Sequence, residues 1–492
     1  MSGDQTTIRP EPTPRRERLE RGPALTVAWH PDLSRVGARL RIRGEVALSR
    51  NSPDVGDRPL GDPHLSRKPV VLRAHRGGLQ LEPHPSGSTV TLDGAPCRGA
   101  RLSAEALARG AVLGIAGRVL LVLHLVGDAP GVEGLGLVGR GLDAVRRQVL
   151  QVADLEVPVL IRGESGTGKE RVAHAIHHRS ARSGRPFVAV NLGALPPATA
   201  AAELFGHTRG AFTGAARERP GLFGRARGGT LFLDEVGEAP AEVQVALLRA
   251  LETGEVRPVG SERTRPADVR LLAATDMDLE SAVSQGLFRG PLLHRLAGFE
   301  IALSPLRERR QDIGPLLAHF LRVELDAVGE LNRLTLPGPA AEPWLPAPLV
   351  SGLLRADWPG NVRQLRNAIR QLVIASRGLD QVVRTPAIER MLTAPVAPAP
   401  AGSPAIPGDE AMFAALQAAD YRPSAAASAL GVSKTTLYAW MERTPGVHKA
   451  RDLNAADIEA ARRAVGEDRA AMARHLRVSK RGLTLRMGEL EV

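Results

Sequence analysis

Two stretches of this chain carry residue types able to handle a nucleoside triphosphate. The first, GESGTGKE, runs from Gly163 to Glu170, directly after the apolar run VPVLIR and ahead of the helix-prone ERVAHAIHH. Glycines let a loop wrap phosphate oxygens with backbone N–H groups, a helix N-terminus adds positive potential, and Lys169 can reach the β and γ phosphates. Gly163, Glu164, Ser165, Gly166, Thr167, Gly168, Lys169 and Glu170 are therefore the expected ATP-binding residues. Glu170 stands where the general pattern has Ser or Thr, so a magnesium ligand has to come from elsewhere. The second stretch, GGTLFLDEVGE, supplies it: a hydrophobic strand ends in Asp234 and Glu235, 65 residues after Lys169. A carboxylate at the strand end, Asp234, can hold Mg²⁺, and the next one, Glu235, can polarise an attacking water.

These residues have to be positioned by a parallel α/β sheet. From Gly134 to about Leu325 buried apolar runs such as VPVLIRG, TLFLDEV and VRLLAAT alternate with helical segments, as parallel sheets require. Before it, residues 25–127 form short runs (LTVAW, RLRIRG, KPVVLRA, GLQLEP, STVTLDG) separated by turn residues, which predicts a β-sandwich. Residues 1–24 are Pro-rich and charged and are expected to form a loose tail. Residues 326–395 read as helical, and the Pro/Ala stretch 396–408 reads as a linker. Beyond it, ASALGVSKTTLYAWM superimposes on ARHLRVSKRGLTLRM with an offset of 46 residues, an internal repeat of two short helical units over 409–445 and 452–492.

Composition bounds the class. With 43% hydrophobic residues the chain can build real cores, and its net charge of +12 favours a polyanionic partner or reflects an arginine-rich proteome. A single cysteine, Cys97, excludes a disulfide framework and a Cys-rich zinc site and suits a reducing, cytoplasmic setting. The run AVLGIAGRVLLVLHLVG is interrupted by Arg118 and His124 and is expected to form strands, not a membrane span.

From Leu137 to Arg370 the motifs GESGTGKE, FVAVNLGAL, ELFGHTRGAFTGA, GGTLFLDEVGE, LFRGPLLHRL, LSPLRERRQDI and WPGNVRQLRN resemble those of the AAA+ ATPases that activate bacterial RNA polymerase carrying sigma-54, the bacterial enhancer-binding proteins. The resemblance implies a hexameric P-loop ATPase with a helical lid, using ATP and Mg²⁺ to remodel sigma-54 polymerase into an open promoter complex. It also implies that GAFTGA (Gly210, Ala211, Phe212, Thr213, Gly214 and Ala215) tips a loop touching sigma-54, which would explain an aromatic ring on a glycine-bracketed segment. By position, Asn191 corresponds to a switch residue sensing Glu235, Arg289 and Arg295 to fingers reaching a neighbouring subunit's nucleotide, and Arg363 to the sensor arginine of the lid. Two departures bear on turnover: Asp276 stands where Asn is usual, and Gly290-Pro291 replaces an acidic pair. They keep open a second reading, a DNA-bound repressor or scaffold with a weak ATPase.

The sandwich is similar to forkhead-associated (FHA) domains, readers of phosphothreonine peptides, with Arg50, Ser66 and Arg67 as the expected phosphate contacts. Pro69 replaces the usual histidine of that family, and the usual first glycine is missing. A phosphothreonine-bearing protein and a Ser/Thr kinase are the partners this implies. The first C-terminal unit resembles a Fis-type helix-turn-helix for double-stranded DNA upstream of promoters, with Lys434, Thr435, Thr436 and Tyr438 near bases or phosphates. The second, with Lys480, Arg481 and Arg486, is expected to read further DNA or to pair with another copy. The expected fold class is thus multidomain: an FHA-like β-sandwich, a central α/β AAA+ core over 134–325 with a lid over 326–395, and α-helical helix-turn-helix units.

Overall fold

The computed structural model describes residues 21–127, 134–212, 215–336, 338, 341–393, 409–419, 421, 426, 453–476, 478 and 480–490. Residues 1–20, the Pro/Ala linker and most of the first C-terminal repeat, including Lys434, Thr435, Thr436 and Tyr438, lie outside the described residues. The chain divides into two units, Met1–Ala394 and Pro395–Val492.

In the first unit the N-terminal strands form two antiparallel sheets. One contains six strands in the order Arg39–Arg41, Gly22–Trp29, Val119–Val126, Ala111–Ile115, Val90–Leu92 and Ala95–Pro96; the other contains Glu45–Leu48, Val70–His75, Gly78–Pro83 and Ala100–Ser103. Leu25, Val27, Leu113 and Leu121 of the first sheet share a core with Leu48, Leu72, Leu79 and Leu81 of the second, so the sheets face each other as a sandwich.

The outer face of the larger sheet is apolar as well. Ala28, Trp29, Val112, Leu120 and Val122 belong to the same hydrophobic core as Ile313, Leu316, Leu317 and Leu321 of the helix Ile313–Ala327 and Leu349 and Leu353 of the helix Ala347–Arg355. Strands buried on both faces read as continuous apolar runs rather than alternating ones, and VLLVLHLV is such a run. Polar contacts edge this seam. Arg118, 4% exposed, pairs with buried Asp62 at 3.3 Å and with Glu342 at 2.9 Å, and donates to the Ala341 carbonyl at 2.9 Å. Arg355 Nη1 donates to the Asp93 carbonyl at 3.0 Å.

His124 sits in the same sheet with its Nε2 2.8 Å from the Thr26 hydroxyl and its Nδ1 3.2 Å from the Leu125 carbonyl. Nδ1–H can therefore donate to the carbonyl while Nε2 accepts from Thr26, the neutral tautomer. Burial first, then the charge of Arg39, lowers its pKa to about 4. A folded-state pKa below the unfolded value means the unfolded chain takes up the proton first, so stability is full above about pH 6.5 and falls toward pH 4, by about 3 kcal/mol at the limit. We expect the sandwich's calorimetric unfolding temperature to drop more steeply between pH 7 and 5 in the native sequence than in His124→Phe; equal slopes would assign the acid response to other groups.

The central domain is a five-stranded, all-parallel sheet in the order Phe187–Asn191, Thr230–Asp234, Arg270–Thr275, Val159–Arg162, Phe299–Ala302. Helices cover it on both faces, with Leu204, Leu247 and Leu292 on one side and Val149, Val172 and Ile176 on the other. The helix Ile313–Ala327, which the sequence pattern assigns to this core, packs instead with Ala347–Arg355 and Asn361–Ala375 as part of the lid. Its apolar face is committed to that bundle and to the sandwich.

In the second unit, helices Ala455–Val465, Arg469–His475 and Lys480–Leu490 enclose a small core of Ile458, Met472, Val478 and Leu483. Asn454 and Asp457 cap the first helix reciprocally, each side chain accepting from the other's backbone N–H at 3.0 Å. Arg486 donates to the Leu453 carbonyl at 2.9 Å, an intramolecular task, while Lys480 is exposed. Among the described residues no helix is long and apolar enough to cross a membrane.

Candidate nucleotide site

The apolar strand Val159–Arg162 runs inside the sheet, between Arg270–Thr275 and Phe299–Ala302, and delivers the chain to Gly163 at its C-terminal edge. The loop Gly163–Gly168 then turns into the helix Lys169–Arg179. Gly166 (φ +78°) and Gly168 (φ +108°) take left-handed conformations that favour glycine. A Cβ on Gly166 would also come 2.4 Å from the Gly360 carbonyl oxygen.

Lys169 is 7% exposed; its Nζ donates to the Gly163 carbonyl at 2.9 Å and stands 3.7 Å from Glu235 Oε1. Asp234 closes the strand Thr230–Asp234, separated from Val159–Arg162 by the strand Arg270–Thr275, and Glu235 follows in a left-handed conformation, φ +52°. Burial raises the carboxyl pKa values of both acids, with Lys169 opposing; Asp276 and Asp234 push Glu235 further up. Glu235 Oε2 is buried with no hydrogen-bond partner. Two desolvated carboxylates at a strand end, with one oxygen unpaired and one lysine beside them, fit a divalent cation and a water in need of a base.

These groups line one cavity of about 760 Å³. Leu137, Val138 and Leu142 make an apolar end suited to a base, and Ser165–Arg171, Asp234 and Glu235 make the polar end. Arg363 lines it from the lid and donates to the Ser165 hydroxyl at 3.0 Å.

Similarity to known proteins accords with this geometry. Residues 138–302 match the Sigma-54 interaction domain and residues 307–401 the AAA+ ATPase lid domain. The transcriptional regulatory protein ZraR of Klebsiella oxytoca is 41% identical over 325 residues, 65% of this chain and 68% of ZraR. The chain belongs to the family of sigma-54-dependent activators. Its central domain is accordingly a P-loop ATPase domain that binds ATP, with Mg²⁺ the usual companion ion. The hydrogenase transcriptional regulatory protein HoxA of Cupriavidus necator is 48% identical over 240 residues, 49% of this chain and 48% of HoxA. The chain thus spans about half the length of several relatives it matches. Among solved structures, NtrX from Brucella abortus in complex with ADP is 31% identical, with a TM-score of 0.46 over 62% of this chain and 68% of its own.

The other residues expected of the ATPase domain fall in three places. Asn191 ends the strand beside Asp234 and pairs with it in register, but its side-chain oxygen accepts from the Ala194 N–H at 3.2 Å and caps the following turn. Arg289 stands at the N-cap of the helix Gly290–Leu296 and Arg295 lies in its last turn, and neither lines the cavity; Arg295 stands 3.8 Å from Glu252, both exposed. Pro291 falls in the first turn of that helix, where its missing N–H costs no helical bond. The GAFTGA loop rises on cross-strand bonds between His207 and Arg219 (3.0 Å) and between Thr208 N–H and the Val259 carbonyl (3.0 Å). Phe212 is 42% exposed and leans on the His207 ring at 4.9 Å, whereas Ala215 is buried. Thr213 and Gly214 lie outside the described residues.

At one end of the sandwich, Ser66 N–H donates to the Ser88 hydroxyl (2.8 Å), Ser66 Oγ accepts from Lys68 N–H (3.0 Å), and Arg67 is exposed. Arg50 spends two donors on its own scaffold, Nε to the Leu65 carbonyl at 2.7 Å and Nη2 to the Pro63 carbonyl. Lys68, which bonds Ser86 Oγ at 2.6 Å, is a cation at this tip that sequence reasoning missed.

Three lid residues were also missed: Arg307, Arg309 and Asn361, all in direct contact with the P-loop. They lie in LSPLRERRQDI and WPGNVRQLRN, the motifs from which only Arg363 was singled out.

Proposed function

We propose that this chain is a DNA-bound activator that hydrolyses ATP to drive the Phe212 loop against sigma-54 and so opens promoter complexes. One observation carries the reading: the domain with the nucleotide cavity also holds a half-exposed aromatic ring at a glycine-bracketed tip. Burying such a ring in its own fold would be favourable, so leaving it out suits a partner surface. Lys169 would hold the phosphates, Asp234 the magnesium ion, and Glu235 would take the proton of the attacking water. Mg²⁺, when bound, would draw charge from the phosphate oxygens. Arg289 and Arg295, away from their own cavity, would complete a neighbouring subunit's site in a hexamer, which makes turnover depend on assembly. The first C-terminal repeat would supply the DNA contacts. The sandwich would take a phosphothreonine peptide between Ser66, Arg67 and Lys68, Arg50 holding the loop that presents them.

The test is open-complex formation by purified protein on a sigma-54 promoter. Truncating an aromatic anchor at an interface costs about 2 kcal/mol or more. Phe212→Ala and Thr213→Ala are therefore expected to lose most open complexes while hydrolysing ATP at the native rate. Retained opening in both would reject the loop's role; DNA binding without any hydrolysis in the native chain would favour the scaffold reading.

A further inference from the structure

The lid hydrogen-bonds the P-loop at the Glu164 carboxylate and at three successive carbonyls, those of Ser165, Gly166 and Thr167. Val362 N–H donates to the Gly166 carbonyl at 2.9 Å, Asn361 Nδ2 to the Ser165 carbonyl at 3.1 Å, and Arg309 Nη2 to the Thr167 carbonyl at 3.0 Å. The Glu164 carboxylate accepts from Arg307 (Nη1 2.9 Å, Nη2 2.5 Å) and from Asn361 Nδ2 at 3.1 Å. These partners are themselves fixed. Asn361 is fully buried at φ +50°, a conformation Asn tolerates, and its Oδ1 accepts from Leu306 N–H at 2.8 Å. Arg309 is 2% exposed and lies 3.5 Å from fully buried Asp312, which accepts from Gly141 N–H at 2.8 Å.

A trans peptide points its carbonyl and the following N–H to opposite sides. Holding the carbonyls of Ser165 and Thr167 from the lid therefore turns the N–H groups of Gly166 and Gly168 away from it, as a phosphate cradle needs. Glu164 adds a second requirement. It places a negative charge in the loop that receives a polyanion, and its pKa is held low by the Arg307 hydrogen bonds first and that of Asn361 next, so it stays ionised.

We propose that Arg307, Arg309 and Asn361 are positioning residues for the nucleotide: they set the aim of the P-loop amides, and Arg307 neutralises Glu164 so that the loop accepts triphosphate. The inference rests on the ATPase reading and adds to it a lid contribution made without touching substrate. Removing Arg307 leaves Glu164 as an uncompensated anion beside the phosphates; removing the Glu164 charge in that background relieves it. A defect of lid folding would show no such relief.

The test is titration of the full chain with the fluorescent analogue mant-ATP, with phosphate release measured on the same samples. Arg307 is the residue to vary because its side chain is 40% exposed, whereas replacing buried Asn361 could unfold the lid. Arg307→Ala is expected to weaken mant-ATP binding on the order of tenfold, with turnover at saturating ATP within about twofold of native. The double variant with Glu164→Gln is expected to bind within about threefold of the native chain. Unchanged affinity in Arg307→Ala, or a loss the second substitution leaves uncorrected, overturns the proposal. Native protein that binds mant-ATP without releasing phosphate would count against the ATPase reading while the affinities still decide this one.

Discussion

Glu235→Gln will leave ATP bound and slow its hydrolysis on the order of a thousandfold, the scale of a lost general base. The substitution keeps shape and volume, so the left-handed turn at φ +52° and its packing remain. What it removes is the proton acceptor. The pKa of Glu235, like that of Asp234, is raised by burial foremost, and for Glu235 Asp276 and Asp234 add to the rise against Lys169; raising a carboxylate toward neutrality makes it a better base while it remains ionised. Its Oε2, buried and unpartnered, is the atom free to take a water proton. Lys169→Ala should fail differently. It removes the cation that donates to the Gly163 carbonyl at 2.9 Å and stands 3.7 Å from Glu235, so affinity itself should collapse. Single-turnover phosphate release at saturating ATP, with affinity read separately, distinguishes the two. Near-native turnover in Glu235→Gln would pass the base role to another group, Asp276 being the nearest candidate by its electrostatic coupling.

What could be read before folding was whatever is local. Gly163 to Glu170 form a loop because strand, glycines and helix follow one another directly, and Asp234 and Glu235 stand beside it because a parallel sheet aligns strand ends. The lid clasp could not be read so: Arg307 and Glu164 are 143 residues apart, and Asn361 and Glu164 are 197 apart. Among 65 basic residues nothing local marks Arg307 or Arg309 as different from arginines that face water. Arg50 was legible as a loop-tip arginine but not as one whose donors return to Leu65 and Pro63. The seam between sandwich and lid left one trace: Ala111–Ile115 and most of Val119–Val126 are apolar on both faces, more than a sandwich with one wet face needs. That surplus signalled a second cover without naming it.

Gly314→Val should break that cover. Gly314 lies in the first turn of the helix Ile313–Ala327, and a Cβ there would fall 2.1 Å from the Ala28 carbonyl oxygen and 2.6 Å from its Cα. The obstacle is backbone on both sides, so no rotamer change relieves it. Either the helix or the strand Gly22–Trp29 must move, and both belong to one core with Trp29, Leu316 and Leu317. Overpacking of a dense core costs about 1–3 kcal/mol and more where backbone must shift; here the outcome expected is separation of the sheet from the lid, seen as limited proteolysis that frees the sandwich while each part keeps its helix or strand signal. The same displacement should reach the nucleotide. Arg309 and Arg307 precede Gly314 by five and seven residues, and Arg310, between them and the seam, donates to the Gly110 carbonyl of the sandwich at 3.4 Å and to the Arg355 carbonyl at 3.2 Å. A segment holding the P-loop on one side and the sandwich on the other cannot yield on the second without loosening the first, so mant-ATP affinity should fall together with protease resistance. A Gly314→Val chain that sheds its sandwich yet binds nucleotide at native strength would show that the lid holds the loop by itself, and that events at the sandwich reach the ATPase by another route.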